Sequence, residues 1–394
     1  MNADFAVRTA TSQATVERCL AELRRGGAIA LIDGEHAVLA VAAETLEESQ
    51  LAWLGSIAGD AEIRVLLTAE RASRLGLVQS ALPPTEICIC RLTANLSAEA
   101  LKTTIIHRLA DPTKPDLLDA AGAPGMVGKV AIGGVSLDTA VEAGLPAGLC
   151  RSAIDLAKTA RLLPAVVVVK VAPAAVAYWV AAPFTVACGD LAAHRRMLAS
   201  ELRRVGSARV PLEAAEATEI IAFRPADGGK EHLAIVIGSL DTEQPVLIRL
   251  HSECFTGDLL GSLRCDCGDQ LRGAIEQIAK SGSGVLLYLA QEGRGIGLIN
   301  KLRAYRLQDV GADTMDANLQ LGFGADERVY QPAAEMLRQL GIPSVRLLTN
   351  NPEKVRGLEQ CGIAVVERVP HAFPSNDHNA RYLSTKATRF GHMF

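Results

Sequence analysis

The chain is poor in aromatic side chains: Phe, Trp and Tyr together make up 4% of its 394 residues. Its cores must therefore be built from Ala, Val, Leu and Ile rather than from packed rings. It also lacks an excess of positive charge. Forty Lys and Arg against 44 Asp and Glu give a formal charge of −4. With no basic tail and no acidic arm, this argues against a general nucleic-acid binder. There is no internal repeat and no low-complexity tract beyond an alanine bias. Apolar residues at 49% and charged residues at 21% exclude a largely disordered chain.

The first twenty residues carry an early Asp4 and no apolar stretch of the kind a secretory leader needs. The expectation is a cytoplasmic protein. One uncharged run, 171–189, is long enough on a naive count to span a bilayer. Pro173 and Pro183 interrupt it, so it reads as short buried strands and turns, with no membrane role. Nine cysteines, an odd number in a long chain, make a disulfide framework a poor reading.

The remaining pattern is mixed α/β, and the length suggests two or three domains. In the first half, AIALI (28–32), IRVLL (63–67), EICIC (86–90) and AVVVVKV (165–171) read as strands, with 14–25 and 152–161 as helices. A helix over 192–204 closes that half before the breaker Gly206-Ser207. Beyond it, 219–223, 232–238, 246–251, 285–290 and 344–350 read as strands, and 270–281 and 299–309 as helices. A further helix over 326–340 is expected to be capped by Asp326 and ended by Gly341. Pro352 suits the first turn of another.

The strongest local signal is Cys254-x10-Cys265-x-Cys267, with Gly257, Gly261 and Gly268 as turns. Three thiols this close can converge on one soft metal, for which zinc is the natural candidate. Three protein ligands, not four, is the count of an open, catalytic site. His251 is close in sequence but, at a strand end, is expected to face away. Three inert buried thiols remain the plain alternative. A second signal is Gly293, Gly295 and Gly297 between a strand and a helix, a turn that brings backbone N–H groups toward phosphates. It is neither a P-loop nor a dinucleotide fingerprint. Arg249, Arg294, Thr314, Asp326, Arg328, Thr349 and Lys354 fall at expected strand ends or turns, where a phosphorylated ligand or solvent would suit them.

Taken in order, these motifs resemble GTP cyclohydrolase II. The resemblance rests on 249–254, the cysteine pattern, Gln291-Glu292-Gly293-Arg294, Ala317-Asn318, the 322–328 segment, 346–354, and the terminal Thr385-Lys386 and Gly391-His392. It covers roughly 210–394. It implies zinc, one ion per chain, on Cys254, Cys265 and Cys267, and GTP carrying Mg²⁺ on its triphosphate. It also implies GTP contacts at Arg249, Leu250, His251, Ser252, Glu253, Gln270, Glu292, Gly293, Arg294, Thr314, Thr349 and Lys354. Asp326 and Arg328 match the family's base and nucleophile, although a guanidinium is a poor nucleophile and could instead clamp a phosphate. Tyr305 matches a tyrosine that positions water or moves a proton. The family is commonly homodimeric.

The first half resembles 3,4-dihydroxy-2-butanone 4-phosphate synthase more faintly, in Arg25-Gly26-Gly27 and in 185–196. Its chemistry does not carry over. The acidic stretch after the first strand shrinks to Asp33 and Glu35, and the metal-binding His-Thr-Glu is replaced by Leu149-Cys150-Arg151. The expected organisation is thus an inactive synthase-like domain over 1–203 and a cyclohydrolase domain over 204–394. Two alternatives are a paralogue acting on another purine nucleotide or stopping at a formylated intermediate, and a non-catalytic zinc- or nucleotide-binding regulator.

Overall fold

The computed structural model describes residues 3–59, 62–75, 87–92, 97–102, 135–138, 144–371 and 373. The terminal Thr385-Lys386 and Gly391-His392 motifs lie outside them. The chain divides into two compact units. One holds 1–194 together with 302–325; the other holds 195–301 together with 326–394.

In the first unit, β1 (Ile29–Asp33), β2 (His36–Ala42), β3 (Arg64–Thr68), β4 (Ile87–Leu92), β5 (Val135–Asp138), β6 (Ala165–Val171) and β7 (Thr185–Ala187) form one sheet. Its order is β5-β4-β3-β6-β2-β1-β7. Every pairing is antiparallel except β1 with β7. Gly34, at φ 60°, supplies the positive φ needed in the two-residue turn between Asp33 and His36. The run of valines in β6 is buried on both faces, as its β-branched composition requires. Leu20 and Leu23 of the helix Ala3–Arg24 and Leu149, Ala153 and Leu156 of the helix Ala147–Thr159 pack with Ile29, Leu31, Val166 and Val168. The uncharged run is no single helix. It closes β6, makes the short helix Val176–Trp179 and enters β7. Among the described residues no helix is long and apolar enough to cross a membrane.

The second unit carries β8 (Leu202–Arg209), β9 (Thr218–Pro225), β10 (His232–Ile237), β11 (Val246–Ser252), β12 (Gly284–Leu289), β13 (Ser344–Leu348) and β14 (Ala364–Val369). They run in the order β14-β13-β11-β12-β10-β9-β8. The four strands β14, β13, β11 and β12 pair in parallel, and the rest are antiparallel. Val246, Ile248 and Leu250 face a core shared with Ala333, Met336 and Leu337 of the helix Gln331–Gln339. Leu247 turns to the other face, against Ala274 and Ile278 of the helix Cys267–Lys280. This period of two puts Arg249 and His251 on that second face.

Two expected elements differ. The helix over 192–204 stops at Ser200, and 202–209 is strand β8, so Gly206-Ser207 lies inside a strand. The pairing with β9 shifts register between Arg204 and Gly206, and an irregularity of this kind absorbs a glycine. The helix over 326–340 begins only at Gln331. Asp326 does not cap it, because its carboxylate is spent on the backbone and guanidinium of Arg328, and Pro332 fixes the first turn instead. The helix Pro352–Gln360 starts as expected, with the Asn351 side chain accepting from the Glu353 N–H.

Candidate functional site

Because β11, β12 and β13 are parallel neighbours, their carboxyl ends lie together. Ligand sites form at such an edge in α/β sheets. There the chain places Glu253-Cys254 after β11, Gln291–Arg294 after β12, and Thr349–Lys354 after β13.

The three thiols converge. Cys254, Cys265 and Cys267 offer sulfurs that all lie within 4.8 Å of one another. The Cys254 and Cys265 sulfurs are 3.7 Å apart. Two sulfurs each ~2.3 Å from a tetrahedral zinc would be separated by ~3.8 Å, so the spacing fits. The cradle is tight: a Cβ on Gly257 would sit 2.7 Å from Cys265 Sγ and 3.0 Å from Cys254 Sγ. No other group of three such ligands is found among the described residues, and all nine cysteines are free thiols. Hydrogen bonds from the Cys265 and Cys267 thiols, with the charge of Lys301, push the Cys254 thiol far below its ordinary value. Sharing that anion drives Cys265 up to about 11 and Cys267 upward as well.

His251 does not join the thiols. Its Nε2 lies 3.0 Å from Asp258, a carboxylate that also accepts from the Tyr288 hydroxyl and the Cys254 N–H, each at 2.9 Å. Since a carboxylate only accepts, Nε2 carries the proton. Burial lowers the His251 pKa, against the opposing pull of Asp258. Asp258 and Tyr288 thus tie the thiol loop to β11 and β12.

Glu292 is equally committed. One carboxylate oxygen accepts from the Phe255 N–H at 2.7 Å; the other accepts from the Gly293 N–H at 2.9 Å and from Lys301 at 2.8 Å. The turn it opens is strained: Gly293, Arg294, Gly295 and Gly297 all have positive φ, and Arg294 has a side chain at φ 61°. The Glu327 N–H donates to the Arg294 carbonyl at 3.0 Å, which pins the turn to the 326–328 segment.

Buried cations surround this edge. Arg249 lies within β11, not at its end; it donates to the Leu348 carbonyl at 2.8 Å and to Gln270 Oε1 at 2.5 Å. Its buried Nε has no hydrogen-bond partner among the described residues. The Gln270 amide in turn donates to Asp266, so both its ends are engaged. Lys354 Nζ donates to the Leu250 carbonyl at 2.7 Å. Arg328 grips Asp326 in a forked pair, with Nε 2.9 and 3.1 Å from the two oxygens. Burial pushes Asp326 upward, but Arg328 and Arg294 more than offset it and hold its pKa below the ordinary value. Glu253 pairs with Lys230, and the Asn351 N–H donates to the Thr349 hydroxyl. Leu250 is a core residue, and Ser252 closes β11.

Tyr305 and Thr314 fall in the 302–325 segment, which belongs to the first compact unit. Thr314 opens the helix Thr314–Gln320, capped by Asp313. Sequence reasoning gave no site role to Lys301, whose ammonium lies 3.1 Å from Cys254 Sγ, nor to Asp258, Tyr288 or Asp266. Lys301 follows the glycine-rich turn by one helical turn, and that spacing was the available signal.

Three converging thiols ringed by buried cations form a site able to hold a soft metal ion beside an anionic ligand. Residues 203–370 match the family described as GTP cyclohydrolase II. A GTP cyclohydrolase-2 from Azospirillum brasilense is 52% identical over 388 residues, covering 96% of this chain and 94% of its own length. One from Pseudomonas aeruginosa is 58% identical over 189 residues, 48% of this chain and 92% of its own. A solved two-domain 3,4-dihydroxy-2-butanone 4-phosphate synthase from A. baumannii aligns over 91% of this chain at 16% identity and a TM-score of 0.32. The chain belongs to the GTP cyclohydrolase II family.

Proposed function

We propose that the chain is a zinc-dependent GTP cyclohydrolase II. It hydrolyses GTP to 2,5-diamino-6-(ribosylamino)-4(3H)-pyrimidinone 5′-phosphate, formate and pyrophosphate, the opening reaction of riboflavin synthesis. The observation that carries this reading is the Cys254–Cys265–Cys267 centre at the carboxyl edge of β11 and β12, with sulfur spacing suited to zinc. When bound, the ion supplies Lewis acidity for hydrolysis at the imidazole carbon C8.

The chain's own residues do the rest. The buried Nε of Arg249 supports a ligand contact there, and Gln270 reads the guanine edge by exchanging its bonds to Arg249 and Asp266 for the base. Arg294, Arg328 and Lys354 supply positive charge for the triphosphate, with Mg²⁺ accompanying the nucleotide. Arg328 acts as a clamp. Its forked ion pair with an Asp326 held ionised keeps the guanidinium protonated, and a protonated guanidinium stabilises charge on a phosphoryl group rather than attacking it. Tyr305 positions water or moves a proton, and Thr314 contacts the nucleotide.

The first half keeps a synthase-like scaffold without its chemistry: Leu149, where that family has a metal-binding His, is buried in the core, and Arg151 is exposed. A cytoplasmic homodimer completes the reading, in keeping with nine free thiols. The test is incubation with GTP and Mg²⁺ before and after a zinc chelator. Formate and pyrophosphate, with formate lost on chelation, are expected. Pyrophosphate without formate points to a diverged paralogue, and neither product points to a binding protein.

A further inference from the structure

Asp326 and Arg328 sit in a stretch, 326–329, that joins no strand and no helix, so its place depends on a few individual contacts. It belongs to the second compact unit, together with the glycine-rich turn, the thiol loop and the helix Pro352–Gln360. Gln291, buried just beyond the end of β12, donates through its side-chain amide to the Val329 carbonyl at 2.9 Å. The Glu327 N–H donates to the Arg294 carbonyl at 3.0 Å. Gly295, at φ 94°, comes so close that a Cβ there would meet the Glu327 carbonyl oxygen at 2.8 Å. On the other side the Tyr330 ring rests on Gly357, where a Cβ would lie 2.2 Å from a ring carbon. The stretch is thus held between the turn and the helix Pro352–Gln360.

The residue after Gln291 reaches a different segment. Glu292 accepts from the Phe255 N–H at 2.7 Å and from Lys301 at 2.8 Å, and that ammonium lies 3.1 Å from Cys254 Sγ. Two consecutive side chains therefore tie the Arg328 stretch and the thiol loop to one short turn. With Arg294 in the left-handed region, that turn has few other conformations to relax into. Burial lowers the Arg249 pKa to about 10; Asp266 and Cys267 pull it up, and Arg328 pushes it further down. Arg328 and the thiol hairpin are thus both within electrostatic reach of the guanidinium on β11. In the reading above, the thiol centre serves the base carbon and Arg328 the phosphates. A misplacement of about 1 Å between two such groups is enough to slow a reaction about 100-fold.

We propose that Gln291 is a positioning residue, which holds Arg328 at a fixed separation from the Cys254–Cys265–Cys267 centre through the turn it shares with Glu292. The inference rests on Arg328 acting at the phosphates in the function proposed above.

The full-length chain tests it with Gln291→Met, which keeps the side-chain length and removes the amide donor. Gln291→Asn keeps the amide but withdraws it by one methylene. Each is made alone and together with Arg328→Ala, and kcat and KM for GTP are read from pyrophosphate release, alongside zinc per chain. In Gln291→Met, kcat is expected to fall by about 10- to 100-fold, with KM within about threefold and zinc at the wild-type level. Gln291→Asn should lose less. In the Arg328→Ala background either substitution should cost less than about twofold more, because the group it acts through is gone. A loss as large in that background as in the native one overturns the proposal. So does an unchanged kcat in both single variants, or zinc lost from a folded Gln291→Met chain. If Gln291→Met does not fold, the Gln291→Asn pair decides by the same comparison. Wild-type protein that releases neither pyrophosphate nor formate overturns the functional reading and this proposal with it; an active wild type with losses that multiply overturns this proposal alone.

Discussion

Lys301 Nζ lies 3.1 Å from Cys254 Sγ and 2.8 Å from Glu292, placing a buried ammonium between a thiol expected to bind zinc and the carboxylate that straps the thiol loop. Three thiolates on a divalent ion leave a net negative centre. A cation bonded to one sulfur offsets that charge and fixes the sulfur's direction. Removing the ammonium leaves the buried Glu292 carboxylate without a counter-charge, held only by the Phe255 and Gly293 N–H groups. Lys301→Met is expected to lower stability by about 3 kcal/mol and metal affinity by about 10- to 100-fold. Urea unfolding and zinc titration against a competing chelator check this; wild-type values for both would refute the role.

At Gly257 a methyl group has nowhere to go, with two sulfurs and Cys267 Cβ at 3.0 Å or less. Gly257→Ala is expected to splay the thiols, leaving well under one zinc per chain by metal analysis and a fold weakened by about 1–3 kcal/mol. A fully loaded variant would mean that the loop is looser than its geometry indicates.

The forked pair of Arg328 with Asp326 gives a prediction about mechanism. A clamping Arg328 leaves no covalent nucleotide on the enzyme. Single-turnover mass spectrometry should find none, and Arg328→Ala should cost about 10²–10³ in kcat while zinc stays bound. A guanylyl adduct on the native chain, absent in the variant, would contradict the clamp.

His371 supplies a pH dependence. It is buried, with Nε2 3.0 Å from the Gln270 carbonyl. Burial first, and the nearby Arg249 second, lower its pKa to about 4 from an ordinary 6.5. Below 6.5 the unfolded chain takes up a proton that the folded chain refuses until about 4. The contribution to stability is therefore complete above 6.5 and is lost as pH falls toward 4, a loss of about 3 kcal/mol at most. Urea midpoints at pH 7.5, 6 and 4.5 should fall more steeply for the wild type than for His371→Gln. Parallel curves would remove His371 from the account.

Much of this was legible in the chain because it depends on local pattern. Runs such as AVVVVKV can only be buried strand, and three closely spaced cysteines among glycines identify themselves. What was not legible depends on pairings distant in sequence. Asp326 reads as a helix cap until Arg328 takes its carboxylate and Pro332 delays the helix. Glu292 and Gln270 read as ligand contacts, yet the fold commits both side chains to neighbouring segments. Lys301 looks like one more surface charge on a helix until the loop from Cys254 closes over it. The grouping of 302–325 with the first half is the extreme case, since Arg71 and Gln320 are 249 positions apart.

Under the proposed function, the three thiols hold the metal on which turnover depends. The most direct measurement is zinc content and formate release from GTP, taken together on the wild type and on Cys254→Ser, Cys265→Ser and Cys267→Ser. About one zinc per chain and formate are expected from the wild type, with both lost in each variant. A folded variant that lacks zinc and still releases formate at the wild-type rate would contradict it.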